Sequence, residues 1–332
     1  MQNPNISPTN PVLAQRRLAT KELTEGIEDK INQLHIFKPG KRIEEFLFFG
    51  LLYGAGAILV SVFNKTIPLV IIGIIVMGTA FNSLAIFIHE GLHGLLSTNP
   101  KINHFLSFLV GVPIMMSATA YQTTHFDHHY ELGKKPDYST YRQHVKKSVF
   151  VWLMYFAQLM LGCILYILFI PFLAFKTASR KSRLFIFLEY IVIVIIWIAL
   201  FKYVSITILL LYWLFPLILM NFLTNIRGLA AHSMGDTENI YLSSRTVKSS
   251  RFVSFLFLYE NYHLAHHIFP RVPSYNLKAV HELIWDRLPQ AIYSKSYLEF
   301  LKNFFKAAFK NDLRPMGVVN PVDLEIPVIK GK

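Results

Sequence analysis

The sequence predicts an all-α membrane protein: about four transmembrane helices in two hairpins, interfacial helices, and a cytoplasmic cap rich in histidine. Three observations carry that prediction. The 332 residues are 53% hydrophobic and only 16% charged, against about 25% charged in water-soluble domains. Their mean hydropathy is +0.39, and the apolar residues gather into runs long enough to cross a bilayer. Of the 13 histidines, most fall into three tight groups beside those runs.

Residues 1–42 are polar and lack the apolar centre of a secretory signal, so a cleaved leader is not expected. Pro4, Pro8 and Pro11 predict a loose start, and Arg16, Arg17, Lys21, Lys30, Lys38, Lys41 and Arg42 predict a cytoplasmic location. Apolar runs at 46–63 and 67–88, joined by a connector holding Lys65, read as an out-and-back hairpin. A third stretch, 105–120, is broken by Gly111 and Pro113 and reads as an interfacial or re-entrant piece. A polar segment, 121–147, separates it from runs at 150–175, 184–201 and 204–223. The connector at 176–183 holds Lys176, Arg180, Lys181 and Arg183 and should be cytoplasmic; the short loop at Lys202-Tyr203 can be external. On this count 184–223 is the second hairpin, and 150–175, which contains Pro171, returns to the side it started from.

After the last run the chain is less apolar. Segments 277–288 and 297–309 read as amphipathic helices. In the second, Tyr297, Leu301, Phe304, Phe305 and Ala308 share a face, with Lys302, Lys306 and Lys310 off it. That pattern suits a helix lying in the membrane interface or packing on the cytoplasmic domain. The resulting division is a polar segment at 1–42, a membrane domain at 43–311 and a tail at 312–332. The single cysteine, Cys163, forms no intrachain disulfide and is expected to be an inert packing residue. The formal charge of +13 fits a cytoplasmic excess of Lys and Arg. No basic stripe interleaves with base-stacking aromatics, so no nucleic-acid partner is expected.

The histidines carry the chemistry. His89 and His93 are spaced i, i+4. His125, His128 and His129 form H-x-x-H-H, as do His263, His266 and His267. On a helix these spacings bring imidazoles to one face. Random placement gives each H-x-x-H-H only ~2% of the time, so two of them outweigh the commoner i, i+4 pair. Three packed imidazoles repel when protonated and cost desolvation when neutral, unless a metal organises them. Eight imidazoles exceed what one zinc takes; they suit two redox metals, and imidazole-rich ligation accommodates iron. Glu90–His93 and Glu260–His263 do have the Glu-x-x-His spacing of soluble di-iron bundles, but the histidines outnumber those carboxylates, so the sequence asks for an all- or mostly-histidine di-iron centre at a membrane surface. His232, just past the last run, is a ninth candidate whose plainer reading is a satisfied interfacial histidine. His89-Glu90-Gly91-Leu92-His93 also matches H-E-x-x-H of zinc proteases, a reading that leaves both H-x-x-H-H groups idle.

These residues resemble the three histidine boxes of the integral-membrane fatty acid desaturase superfamily: H-x(3,4)-H, H-x(2,3)-H-H and [HQ]-x(2,3)-H-H. The first is similar to His89-Glu90-Gly91-Leu92-His93-Gly94, and the second to His125-Phe126-Asp127-His128-His129, followed by Pro136-Asp137. The most specific stretch is Asn261-Tyr262-His263-Leu264-Ala265-His266-His267-Ile268-Phe269-Pro270, which is similar to the third box of desaturases acting on acyl lipids. The resemblance covers about residues 46–288.

It implies an oxygen-dependent enzyme with two iron ions (Fe2+/Fe3+), cytoplasmic boxes and termini, and fatty acyl chains of membrane lipids or acyl thioesters as substrate. It implies His89, His93, His125, His128, His129, His263, His266 and His267 as catalytic metal ligands, with His232 as an added one. Ala231 departs from the acidic residue that many relatives have before that histidine. Asp127, Glu90, Asp137 and Glu260 are candidates to orient ligating imidazoles, and Asn261 to orient His263. His35-Ile36-Phe37-Lys38-Pro39-Gly40 does not match the His-Pro-Gly-Gly of a fused cytochrome b5 domain, so the expected electron donor is a separate protein of ferredoxin or cytochrome b5 type. The same scaffold also serves hydroxylases and ketolases of lipids or carotenoids. A membrane metal-transport protein is the reading of another class, and it would favour ionisable residues inside the spans, where Glu189 nearly stands alone.

Overall fold

In a computed structural model, residues 10–132, 134, 137, 141 and 145–324 are described. In chain order the helices are α1 (Pro11–Thr24), α2 (Glu28–Leu34), α3 (Pro39–Val62), α4 (Ile67–Leu92), α5 (Pro100–Gly111), α6 (Ala118–Glu131) and α7 (Ser148–Thr177). Then follow α8 (Arg180–Tyr203), α9 (Ile206–Leu209), α10 (Phe215–His232), α11 (Arg251–Leu256), α12 (His263–Ile268), α13 (Ser274–Ile284) and α14 (Tyr297–Phe309). Three short strands are interspersed: β1 (Arg245–Val247), β2 (Ala291–Ser294) and β3 (Val318–Val319). The all-α membrane architecture expected from the sequence is the one observed, with this small sheet added.

Among the described residues, five helical segments are long and apolar enough to cross a membrane: 39–62, 67–92, 148–177, 180–203 and 206–232. The chain is thus a multi-pass membrane protein. The count of four needed 150–175 to turn back. It is instead part of one 30-residue helix with Pro171 inside it, about 45 Å at 1.5 Å per residue. The expected loose start is partly replaced: Asn10 caps α1 by accepting from the Val12 and Leu13 amides, with Pro11 at the first helical position. Pro4, Pro8, Pro136 and the tail beyond 324 lie outside the described residues.

The chain divides into two compact units, whose boundaries fall between α2 and α3 and within α6, α7 and α10. The first to be described comprises residues 38–125 and 157–225. Here α3 and α4 form the expected hairpin. Their backbones approach closely at Gly56 and Gly73: a Cβ on Gly56 would sit 2.7 Å from the Gly73 carbonyl oxygen, the small-residue contact that membrane helices favour. The stretch at 105–120 breaks as expected. The α5 and α6 axes meet at 99°, and Met115 at the break has φ 55°. Non-helical backbone at that depth needs internal partners. Trp197 Nε1 donates to the Val112 carbonyl (3.1 Å) and Trp213 Nε1 to that of Pro113 (2.8 Å). Glu189 accepts from Ser117 Oγ (2.6 Å), Thr119 Oγ1 (2.7 Å) and the Thr119 amide (3.1 Å). Glu189, a carboxylate within the 180–203 segment, therefore holds the start of α6. Asn225 on α10 accepts from the Cys163 amide (2.7 Å) and donates to the Leu159 carbonyl (3.2 Å), standing between two groups four residues apart in α7. Cys163 itself is buried.

The other unit comprises residues 1–37, 126–156 and 226–332. Its core gathers Leu23, Ile31, Leu264, Ile268, Leu277, Val280 and Trp285. α12 is short, and its apolar residues Leu264, Ala265 and Ile268 anchor it in that core. The strands pair in the order β1-β2-β3, the first pair parallel with Arg245 opposite Ile292, the second antiparallel with Ala291 opposite Val319. A bridge from Thr246 to Tyr262 ties β1 to the residue before His263.

Candidate metal centre

Each unit assembles its own group of imidazoles. In the first, His89 lies in the last turn of α4, His93 caps it, and His125 lies on α6. The rings of His89 and His125 are 4.5 Å apart, and His93 Nε2 is 2.8 Å from His125 Nε2. The neighbouring Glu90 is held in a buried ion network. Arg42 Nη2 donates to Glu90 Oε2 (2.5 Å), Nη1 to Glu45 Oε2 (2.6 Å) and Nε to the Leu95 carbonyl (3.2 Å). Glu90 is thus part of a structural ion pair, and the H-E-x-x-H protease reading draws no support from it. Arg42, one of the cations of the N-terminal segment, is almost fully buried.

In the second unit, His128, His232 and His267 present ligand nitrogens that all lie within 4.8 Å of one another. His128 Nε2 is 3.3 Å from His267 Nε2, His232 Nε2 is 2.8 Å from His263 Nε2, and His129 Nε2 is 3.2 Å from His266 Nε2. The structure therefore brings His128, His129, His232, His263, His266 and His267 together, with His232 among them.

The far nitrogens set the tautomers. His128 Nδ1 donates to Asp137 Oδ2 at 3.0 Å, and His263 Nδ1 to Glu260 Oε2 at 3.1 Å. His232 Nδ1 faces the Ser243 carbonyl at 3.4 Å, and a carbonyl can only accept. Each ring then carries its proton on Nδ1 and turns a bare Nε2 lone pair inward. Two bare lone pairs 2.8 Å apart repel unless a cation lies between them. Two nitrogens bound at ~2.1 Å to one ion in adjacent positions lie about 3 Å apart, so the donor set and its spacing fit a metal. Burial, then the neighbouring His263, His232 and His128, hold the His267 imidazole well below its ordinary range, in the neutral form that ligates.

Supports stand behind these groups. Arg227 Nη1 lies 3.6 Å from Glu260 Oε2. Arg16 on α1 donates to the His129 carbonyl at 2.6 Å, and burial lowers its pKa to about 10. Arg245 Nη1 donates to the carbonyls of Ala230 (2.5 Å) and Ser233 (3.1 Å), and Nη2 to that of Met316 (2.9 Å). It thereby fixes the end of α10, where His232 sits. Burial lowers its pKa to about 9. Leu258 and Tyr259, with φ of 45° and 61°, turn the chain just before Glu260 in a conformation that non-glycine residues rarely take, as at many functional sites. Asn261, a candidate to orient His263, spends its amide on the Val247 carbonyl at 2.8 Å. Asp127 lies on α6 between His125 and His128. Sequence reasoning took Arg16 and Arg42 only as cations and did not single out Arg245, because their partners His129, Glu90 and Met316 are distant in the chain and leave no local signal.

No curated protein matches the chain. The family model described as fatty acid desaturase matches residues 65–298, well over half of the chain; the chain belongs to that family.

Proposed function

We propose that the protein desaturates fatty acyl chains of membrane lipids or acyl thioesters, using oxygen and two histidine-bound irons. The observation that carries the reading is the inward-facing set of Nε2 atoms, read with the family to which the chain belongs. His128, His232 and His267 would serve one ion, and His89, His93 and His125 would be ligands of the other. His129, His263 and His266 complete the set. When bound, the irons supply the oxygen chemistry that removes one hydrogen from each of two adjacent methylenes, leaving a double bond and water.

The residues of the chain prepare that site. Asp137, Glu260 and the Ser243 carbonyl keep a proton on the outer nitrogen of three rings, so that the inner one is available. Glu260 also neutralises Arg227 nearby. Buried neutral imidazoles in an apolar setting exclude water from the reaction, and positioning is the protein's main contribution in cofactor chemistry. Electrons come from a separate donor of ferredoxin or cytochrome b5 type. The histidine groups and both termini face the cytoplasm, supported by the cations at 176–183.

Expression in a host of defined lipid composition, followed by mass spectrometry of its acyl chains, tests the reading. A new double bond that disappears in the His128→Ala and His266→Ala variants is the expected result. A hydroxylated or keto product would instead place the protein among the oxygenases of the same scaffold.

A further inference from the structure

α14 carries two apolar faces, and the protein buries one. Phe300 and Phe304 are buried. The Phe304 ring packs on Trp152 (5.1 Å), Tyr155 (6.0 Å) and Phe156 (6.0 Å), all in the first turns of α7. Of the expected face, Phe304 is buried and Tyr297, Leu301 and Ala308 are half-buried, while Phe305 at its edge is exposed. A second stripe, Leu298, Phe305 and Phe309, spaced i, i+7, i+11, points outward: Leu298 is 76% exposed and Phe309 92%. Lys302, Lys306 and Lys310 run alongside it and are exposed. At the start of α7, Val149, Phe150 and Leu153 are also exposed, just after the exposed Lys146 and Lys147.

A helix whose outer side pairs an apolar stripe with a row of lysines suits the boundary between acyl chains and anionic headgroups. Its seat places it there, because α7 begins a segment long enough to span the bilayer. We propose that α14 lies in the plane of the membrane interface. Leu298, Phe305 and Phe309 enter the acyl boundary, and Lys302, Lys306 and Lys310 contact the phosphates of acidic phospholipids. This rests on reading α7 as a span.

The test uses the full chain in lipid nanodiscs, in a Cys163→Ala background, with an environment-sensitive fluorophore on single cysteines at Phe309, Glu238 and Leu161. Nitroxide lipids bearing the quencher near the headgroup or deep in the acyl region report depth. Quenching at position 309 by the shallow nitroxide, about threefold above that at 238, and rising as acidic phospholipid goes from none to ~30%, is the expected result. The Lys302→Gln/Lys306→Gln/Lys310→Gln variant should abolish that rise while position 161 stays quenched by the deep nitroxide. Three results would overturn the proposal: a label at 309 that only aqueous quencher reaches, lipid quenching that is equal in neutral and acidic discs, or no lipid quenching at 161. The last would remove α7 from the bilayer and leave the metal reading untouched.

Discussion

His232 and His263 face each other through Nε2 atoms 2.8 Å apart, and the protonation of their outer nitrogens leaves neither with a hydrogen to share. The contact makes physical sense as two ligands of one cation. Its geometry depends on what holds the outer nitrogens, and Glu260 does so for His263 as Asp137 does for His128.

Glu260→Ala and Asp137→Ala should therefore weaken iron binding about 10–100-fold each, as read by competition with a chelator. Glu260→Gln and Asp137→Asn, which keep an accepting oxygen, should recover part of that loss. Equal affinity in all four variants would show that the carboxylates do not position the rings.

The Arg42 network makes a stability prediction. Arg42→Met leaves Glu45 and Glu90 buried without their cation, which costs about 3–5 kcal/mol. Adding Glu45→Gln and Glu90→Gln to that variant removes the uncompensated charge and should restore most of the loss. Unfolding of the purified protein measures both. A single variant as stable as the parent would mean that the ion pair is dispensable.

His281 makes a pH prediction. It is buried between the rings of Tyr262 and Trp285. Burial, and then the Lys278 charge, lower its pKa from 6.5 to about 3. The unfolded chain takes up this proton below its ordinary value, whereas the folded chain resists until about pH 3. The contribution is fully present above pH 6.5 and is lost as pH falls, at ~1.4 kcal/mol per unit. His281→Phe should be less sensitive to acid than the parent by that slope between pH 6.5 and 5. Parallel stability curves would contradict the burial argument.

Much of the architecture was legible because it rests on local pattern. The apolar runs at 46–63 and 67–88 became the helices 39–62 and 67–92, and Gly111 with Pro113 marked a real break. The two H-x-x-H-H groups lie on helices, so their spacing does place the rings on one face. What was not legible depends on distance along the chain. β1 has three residues and no alternation, and it pairs with a strand more than 40 residues away. Arg42 reads as one more cation before an apolar run, yet its partner Glu90 is 48 residues on. In α14 the face read from the sequence holds both Phe304, buried against Trp152, and Phe305, left exposed, a division that only the packing partner decides.

The most direct test is the iron content of the purified protein, for the parent and for a His128→Ala/His232→Ala/His267→Ala variant. The account predicts about two irons per chain in the parent, by analogy with other di-iron carboxylate and histidine sites. It predicts no more than about one in the variant, which removes ligands from only one group of imidazoles. A parent that binds no iron, or a variant that keeps the full complement, would contradict it.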